Sequence, residues 1–284
     1  MLNIPPKTVL VTGCSAGGIG AAIANALAKQ GHHVYATARN TSKIPAHLSE
    51  LSNVTTLQLD VISPASISEA AKAVAGNGRG LDVLVNNAGA GLTMPLLDVD
   101  VSQAQQVHDT NLWGPLRCIQ AFSDLLIASQ GRVVNISTVG AVVNTPWIGV
   151  YSSSKAALNM LSDTLRLELA PFGVSVVSVM VGTITTPFHA NEPTVVLPPS
   201  SRYAAIKDII SRWATGEAGP KGSSPEDLAE SLVHDIVGAG KSAWVWKGAN
   251  SGAVKFASKW IPASILDGLM STGQGLDELS KSLK

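Results

Sequence analysis

The chain has 284 residues, with 20 basic against 20 acidic side chains and no net formal charge. The basic residues are scattered singly rather than gathered into a stripe, which excludes a nucleic-acid partner. Only 14% of residues are charged, against about a quarter in ordinary soluble domains, so much of the surface is suited to subunit contacts or a greasy ligand.

In chain order, β-branched runs predict buried strands at 8–12, 33–37, 54–59, 81–85, 132–137 and 174–181. Between them, longer periodic stretches predict helices over 18–30, 64–76, 102–129 and 151–170. This alternation implies a single α/β domain, a doubly wound parallel sheet of Rossmann type with helices on both faces. After Val181 the rhythm breaks. A stretch rich in Pro and Gly, 187–222, precedes a helix that opens at Ser224-Pro225-Glu226-Asp227, and loops of that length are usually lids or binding segments. The tail, 248–284, contains two amphipathic stretches divided by Pro262.

Three motifs carry chemistry. The first strand runs directly into Thr12-Gly13-Cys14-Ser15-Ala16-Gly17-Gly18-Ile19-Gly20. Glycines there let the backbone turn sharply and bring its N–H groups against a phosphate, while the helix that follows favours negative charge at its N-terminus. The second strand ends in Ala38-Arg39. An acidic residue at that place would hold ribose hydroxyls and repel a 2′-phosphate; Ala38 does neither, and Arg39 can pair with the phosphate, which favours NADPH over NADH. Arg39 capping a loop is the competing reading, and Ser15, Thr41 or Lys43 are candidates to assist it. Finally, Tyr151 and Lys155 stand four apart on one helical face. An ammonium about 4 Å from a phenol supplies about 4 kcal/mol, enough to bring its pKa from about 10 to about 7 and make it an acid or base at neutral pH.

With Asn86-Asn87-Ala88-Gly89 after the fourth strand, Asn111 in the following helix and Ser137-Thr138 after the fifth, these motifs fall in the order of the classical short-chain dehydrogenases/reductases, which the chain resembles over nearly its whole length. The glycine loop is one residue longer than the family's usual pattern, which leaves open whether Ser15, Ala16 or Gly17 meets the phosphate. The resemblance implies that Gly13, Ser15, Gly18, Ile19 and Gly20 cradle the pyrophosphate and that Asp60 and Val61 border the adenine. It also places Asn87, Ala88 and Gly89 along the adenosine ribose. Val181-Gly182-Thr183-Ile184-Thr185-Thr186 resembles the family's nicotinamide loop with Val181 in place of proline, so Ile184 and Thr186 would orient the carboxamide.

On the catalytic side, the resemblance implies ketone reduction with Tyr151 as proton donor and Lys155 both lowering its pKa and binding the nicotinamide ribose. Asn111 would hold a water linking Lys155 to solvent. The family's catalytic hydroxyl falls on Thr138 by spacing, thirteen residues before Tyr151, but a one-residue slip in the loop would restore Ser137. Adjacent strand residues face opposite sides, so only one faces the substrate. Trp147 and Ile148 are expected either to line the cleft or to pack in the core. None of the six histidines joins this constellation.

A narrower resemblance, in 87–100, the glycine loop and Trp246-Lys247-Gly248, is to fungal NADPH-dependent 1-acyldihydroxyacetone-phosphate reductases. It implies a lipid or other hydrophobic small-molecule ketone, as in lipid or secondary metabolism, and a homo-dimer or homo-tetramer. Residues 186–222 would form the substrate lid. In the extension, Lys255 and Lys259 share one helical face beside Phe256 and Trp260, followed by Ile265, Leu266, Leu269 and Met270. This surface could rest on a bilayer at the endoplasmic reticulum or a lipid droplet, or pack over the subunit or the pocket. Cys14 and Cys118 form no CxxC or Cys/His cluster, which argues against a disulfide framework or a metal and fits a reducing compartment. Residues 1–7 lack the apolar core of a signal peptide, and the uncharged stretch 133–154 is too polar to span a membrane, so the chain reads as soluble and cytoplasmic. The competing functional reading is a non-redox protein that binds the dinucleotide, either a scaffold or sensor or a cyclase or isomerase using the same pocket.

Overall fold

The computed structural model describes residues 5–238 and 243–284. The elements in chain order are β1 (Thr8–Val11), α1 (Ile19–Lys29), β2 (His33–Ala38), α2 (Ala46–Ser49), β3 (Val54–Gln58), α3 (Pro64–Gly76) and β4 (Val83–Asn86). Next come α4 (Val101–His108), α5 (Gly114–Ala128), β5 (Arg132–Thr138), α6 (Gly149–Leu169) and β6 (Ser175–Val181). The last are α7 (Lys207–Ala214), α8 (Pro225–Val237), β7 (Trp244–Lys247), α9 (Ser251–Trp260), α10 (Ala263–Ser271) and α11 (Leu276–Ser282).

The strands form one seven-stranded sheet in the order β3-β2-β1-β4-β5-β6-β7, and every pair is parallel. The chain winds outward from β1 to β3 and then returns to lay β4 on the other side of β1. That reversal leaves a crevice at the carboxyl ends of β1 and β4, where sheets of this kind bind ligands. Side-chain alternation divides the core. Val9 and Val11 point to a cluster with Ile23, Leu27, Leu232 and Ile236, so α1 and α8 cover that face. Leu10 points to the opposite cluster with Tyr35, Ile67, Phe122 and Leu126, which α3 and α5 cover, with Leu165 and Leu169 of α6 packed against it.

The helix starts follow local chemistry. Ser63 and Ser224 each accept a backbone hydrogen bond at an N-cap and are followed by proline, which needs no hydrogen-bond partner in the first turn. The continuous helix expected over 102–129 is interrupted: Asp109–Trp113 is a π-helical turn closed by Gly114 N–H donating to the Asp109 carbonyl. Pro115 brings no N–H to an i→i−4 bond, and a Cβ on Gly114 would lie 2.9 Å from Val61 Cγ2, so the chain widens here and keeps its smallest residue against Val61.

The 187–222 stretch contains two short 3₁₀ turns and α7. It shares a third apolar cluster, with Met94, Trp147, Val150, Val195, Ile206 and Ile210, against which Leu276 and Leu279 of α11 pack. Trp147 Nε1 donates to the Gln274 carbonyl at 3.1 Å and Trp213 Nε1 to that of Gly273 at 3.2 Å, so the end of the tail clasps this stretch. Phe256, Trp260, Ile265 and Leu269 of α9 and α10 remain exposed. Among the described residues, no helix is long and apolar enough to cross a membrane.

Candidate active site

Strand β5 ends at Thr138, and α6 begins eleven residues later, at Gly149. Helix α6 carries Tyr151 and Lys155 one turn apart, as their spacing requires. Lys155 is buried, and its Nζ donates to the main-chain carbonyl of Ile136 in β5 at 2.8 Å. The Thr138 hydroxyl lies beside the Tyr151 phenol, close enough to favour its ionised form. It also accepts from Gly140 N–H at 3.1 Å, which fixes its rotamer. The Ser137 hydroxyl is buried without a hydrogen-bond partner, on the other side of the strand. Of the two hydroxyls, Thr138 is therefore the one that meets the phenol.

The charge balance corrects one expectation. The Tyr151 phenol is not brought toward neutrality: burial pushes it up to about 12, the nearby Glu192 carboxylate adds to that rise, and the Thr138 hydroxyl opposes it. Burial also brings the Lys155 ammonium down to about 8. The physical reason is that desolvation penalises both charged forms, while the ammonium is directed at a backbone carbonyl. At neutral pH the phenol keeps its proton.

Asn111 lies in the π-helical turn and is fully buried. Its Oδ1 accepts from Ala90 N–H at 2.8 Å; its Nδ2 donates to the Ala90 carbonyl at 2.8 Å and to Ser154 Oγ at 3.0 Å. Both amide protons are thus engaged, so a water near Asn111 would have to donate to it. The same bonds draw the loop after β4 against α6: a Cβ on Gly89 would lie 3.3 Å from Asn111 Oδ1 and 3.7 Å from Lys155 Nζ.

The glycine loop and the loop after β4 are stapled together. Asn87 Nδ2 donates to the carbonyls of Thr12 and Gly13 at 2.8 and 3.2 Å, and the N–H groups of Asn87 and Ala88 both donate to Thr12 Oγ1. Gly13 has φ +76°, and a Cβ there would lie 2.9 Å from Ala88 Cα, so only glycine fits. Gly20 is equally enclosed, with Asn87 Nδ2 and the Gly13 carbonyl where a Cβ would stand. Helix α1 has Gly18 at its N-cap and no side-chain cap. Its first N–H groups, from Ile19 onward, therefore face the crevice with the positive end of the helix dipole.

Ser15 is half-buried in this loop, and Ala16 and Gly17 are exposed beside it. Arg39 is exposed at the end of β2 and has no hydrogen bond or ion pair among the described residues, while Ala38 is buried beside it. Asp60 Oδ1 accepts from Ile62 N–H at 3.2 Å, and Val61 packs on Gly114. Ile184 is bridged to Ser223, and Thr186 Oγ1 accepts from Phe188 N–H at 3.3 Å. This arrangement of an uncapped helix end and close-approach glycines fits a nicotinamide dinucleotide. Cys14 points into the core, and burial pushes its thiol up to about 12, so it is inert. Among the described residues, no group of three His, Cys, Asp or Glu side chains is placed to hold a metal ion.

One residue in the site carried no signal in the sequence. Glu192, in the Pro-rich stretch after β6, has a side chain only 4% exposed and lies near the phenol. A lone acid among prolines and small residues belongs to no motif, and only the folded chain brings it to Tyr151.

Comparison with known proteins agrees with this geometry. A family model described as short chain dehydrogenase matches residues 7–195. The chain is 47% identical over 232 residues to the short-chain dehydrogenase ptmH of Penicillium ochrochloron, covering 81% of this chain and 84% of that one. It is 37% identical over 278 residues to the short-chain dehydrogenase cctT of Talaromyces islandicus, covering 96% and 97%. The narrower likeness to acyldihydroxyacetone-phosphate reductases gains no support from these relatives. Among solved structures, a short-chain dehydrogenase from Streptomyces avermitilis superposes with a TM-score of 0.77 at 25% identity, covering 98% and 99%. One from Burkholderia cenocepacia in complex with NADP shares the fold, with a TM-score of 0.73 at 24% identity over 94% and 98%. The chain belongs to the short-chain dehydrogenase family and is an oxidoreductase of that fold.

Proposed function

We propose that this protein reduces a ketone on a hydrophobic small molecule or lipid to a secondary alcohol, using NADPH. The observation that carries this reading is the placing of the Tyr151 phenol one turn from the buried Lys155 on α6 and beside Thr138 at the end of β5. NADPH, when bound, supplies the hydride to the carbonyl carbon. Thr138 donates a hydrogen bond to the carbonyl oxygen and polarises it. Tyr151 gives its proton to that oxygen as negative charge develops there, which places it as general acid. Lys155 spends one N–H on Ile136 and keeps two for the nicotinamide ribose and the phenol side. Gly13, Ser15, Gly18, Ile19 and Gly20 hold the pyrophosphate, Asp60 and Val61 the adenine, and Asn87, Ala88 and Gly89 the adenosine ribose. Ile184 and Thr186 orient the carboxamide. Arg39 selects the 2′-phosphate. The exposed Trp113 in the turn between α4 and α5, with Met160 and Leu167 on α6, suits contacts in a homo-oligomer.

Three outcomes test the reading. Tyr151→Phe removes the proton and leaves the ring, so ketone-dependent NADPH oxidation falls by about a thousandfold or more while NADPH affinity stays within about threefold; unchanged turnover would refute the mechanism. Arg39→Ala weakens NADPH binding by about tenfold or more and leaves NADH binding unaffected, measured by fluorescence titration; equal loss for both cofactors contradicts the role given to Arg39. The Lys155 ammonium is charged below about pH 8 and neutral above it. Accordingly, kcat/KM for NADPH, which reports the free protein, is level at lower pH and descends above about 8. A profile that stays level up to about pH 10, near the ordinary lysine value, sets Lys155 aside.

A further inference from the structure

Among the described residues, Glu192 is a carboxylate near Tyr151 that the proposed mechanism does not use. Its burial is nearly complete, with the side chain 4% exposed. Oε2 accepts from the Thr93 hydroxyl at 2.8 Å, and Oε1 lies 3.0 Å from His189 Nδ1. Thr93 is itself buried, whereas the His189 side chain is 41% exposed. The carboxylate rests directly on the loop after β4: a Cβ on Gly91 would lie 2.6 Å from Glu192 Oε1 and 2.7 Å from Phe188 Cε1. The Phe188 ring in turn stands 5.6 Å from the Tyr151 ring. Carboxylate, phenylalanine and phenol therefore form one wall where a ketone would approach the proton donor.

An ionised carboxylate is costly to bury, and its side-chain contacts here are the Thr93 hydroxyl and the His189 ring. A carboxylate offers about four lone-pair positions, and two contacts leave about two unused. Its charge meets little water to screen it. An anion brought beside it is repelled far more strongly than at the surface, while a hydroxyl or ammonium finds an unused acceptor.

We propose that Glu192 sets the charge selectivity of the substrate pocket: it rejects ketones that carry a carboxylate or phosphate near the carbonyl and favours neutral ketones, above all those with a hydroxyl or amine to donate to it. This rests on the reading of Tyr151 as the group that faces the ketone. It also sets a phosphate-bearing lipid ketone below a neutral one as substrate. The carboxylate acts as a specificity determinant; it takes no proton in the reaction.

The test uses one aryl ketone skeleton in two charge states, the methyl ester and the free carboxylate of para-acetylbenzoic acid. The readout is the ratio of their kcat/KM values with NADPH at about pH 8, where ordinary imidazoles are neutral. The wild type prefers the ester by about tenfold or more. Glu192→Gln, which keeps size and polar contacts, brings that ratio to within about twofold of unity, while Glu192→Asp, which keeps the charge, retains most of it. A purely structural clamp predicts that both variants lose rate and stability with the ratio unmoved, and that result overturns the proposal. A wild-type ratio near one overturns it with no variant at all. If neither ketone is turned over, the reductase reading falls instead. The dissociation constants of the two compounds for the wild-type protein and the variants, measured by calorimetry, then decide the charge question by the same criterion.

Discussion

The hydrogen bond from the Lys155 ammonium to the Ile136 carbonyl, 2.8 Å long and buried, is the constraint on which the site depends. A charge in the interior must find partners of fixed geometry, and here the partner is a strand carbonyl of the central sheet. That bond holds the first turns of α6 against the end of β5, and so holds Tyr151 against Thr138. It also explains why spacing alone misjudged the phenol. The ammonium is anchored on a backbone dipole, and desolvation controls the titration of both groups. A phenol that keeps its proton at neutral pH is the state needed by a donor to a developing alkoxide, so the direction of the shift agrees with reduction.

The rest of the sheet serves that contact through buried polar bonds. Asn86 Nδ2 donates to Asn135 Oδ1, and Asn135 Nδ2 to Ser162 Oγ, each at 2.8 Å, which links β4 through β5 to α6. Above it, Thr12 and Asn87 join the glycine loop to the loop after β4, and Asn111 joins that loop to α6 through Ala90 and Ser154. Unmet polar groups in a core are expensive, so each bond specifies one position for its neighbours. The glycine loop and the start of α6 that carries Tyr151 are thereby held together at the switch point of the sheet.

The parts that were legible in sequence are those where a short-range rule and the final fold agree. The β-branched runs became β1 to β6 because parallel strands are buried on both faces. Ser63-Pro64 and Ser224-Pro225 became helix starts because capping is local. What escaped depends on tertiary contact. β7 is only four residues long and is recognised by its pairing with β6. The π-helical turn at Asp109–Trp113 follows from packing between Gly114 and Val61, far apart in the chain. The tail divides at Pro262 as its composition predicts, but α11 folding back onto Trp147 and Trp213 has no periodic signature. In the site, the adjacent Ser137 and Thr138 were indistinguishable by type and are separated by the facing of one strand. Glu192 was silent because its meaning comes from Thr93, 99 residues away.

The most direct measurement is the ionisation of the Tyr151 phenol in the cofactor-free protein, followed by ring-carbon NMR of labelled tyrosine. The chain has three tyrosines, so Tyr151→Phe assigns the signal. This account predicts that Tyr151 remains protonated at about pH 10, where an ordinary phenol is half ionised, and loses its proton only toward about 12. A midpoint near neutrality would contradict it, since the Lys155 ammonium would then dominate over burial and the phenol would be poised as a base.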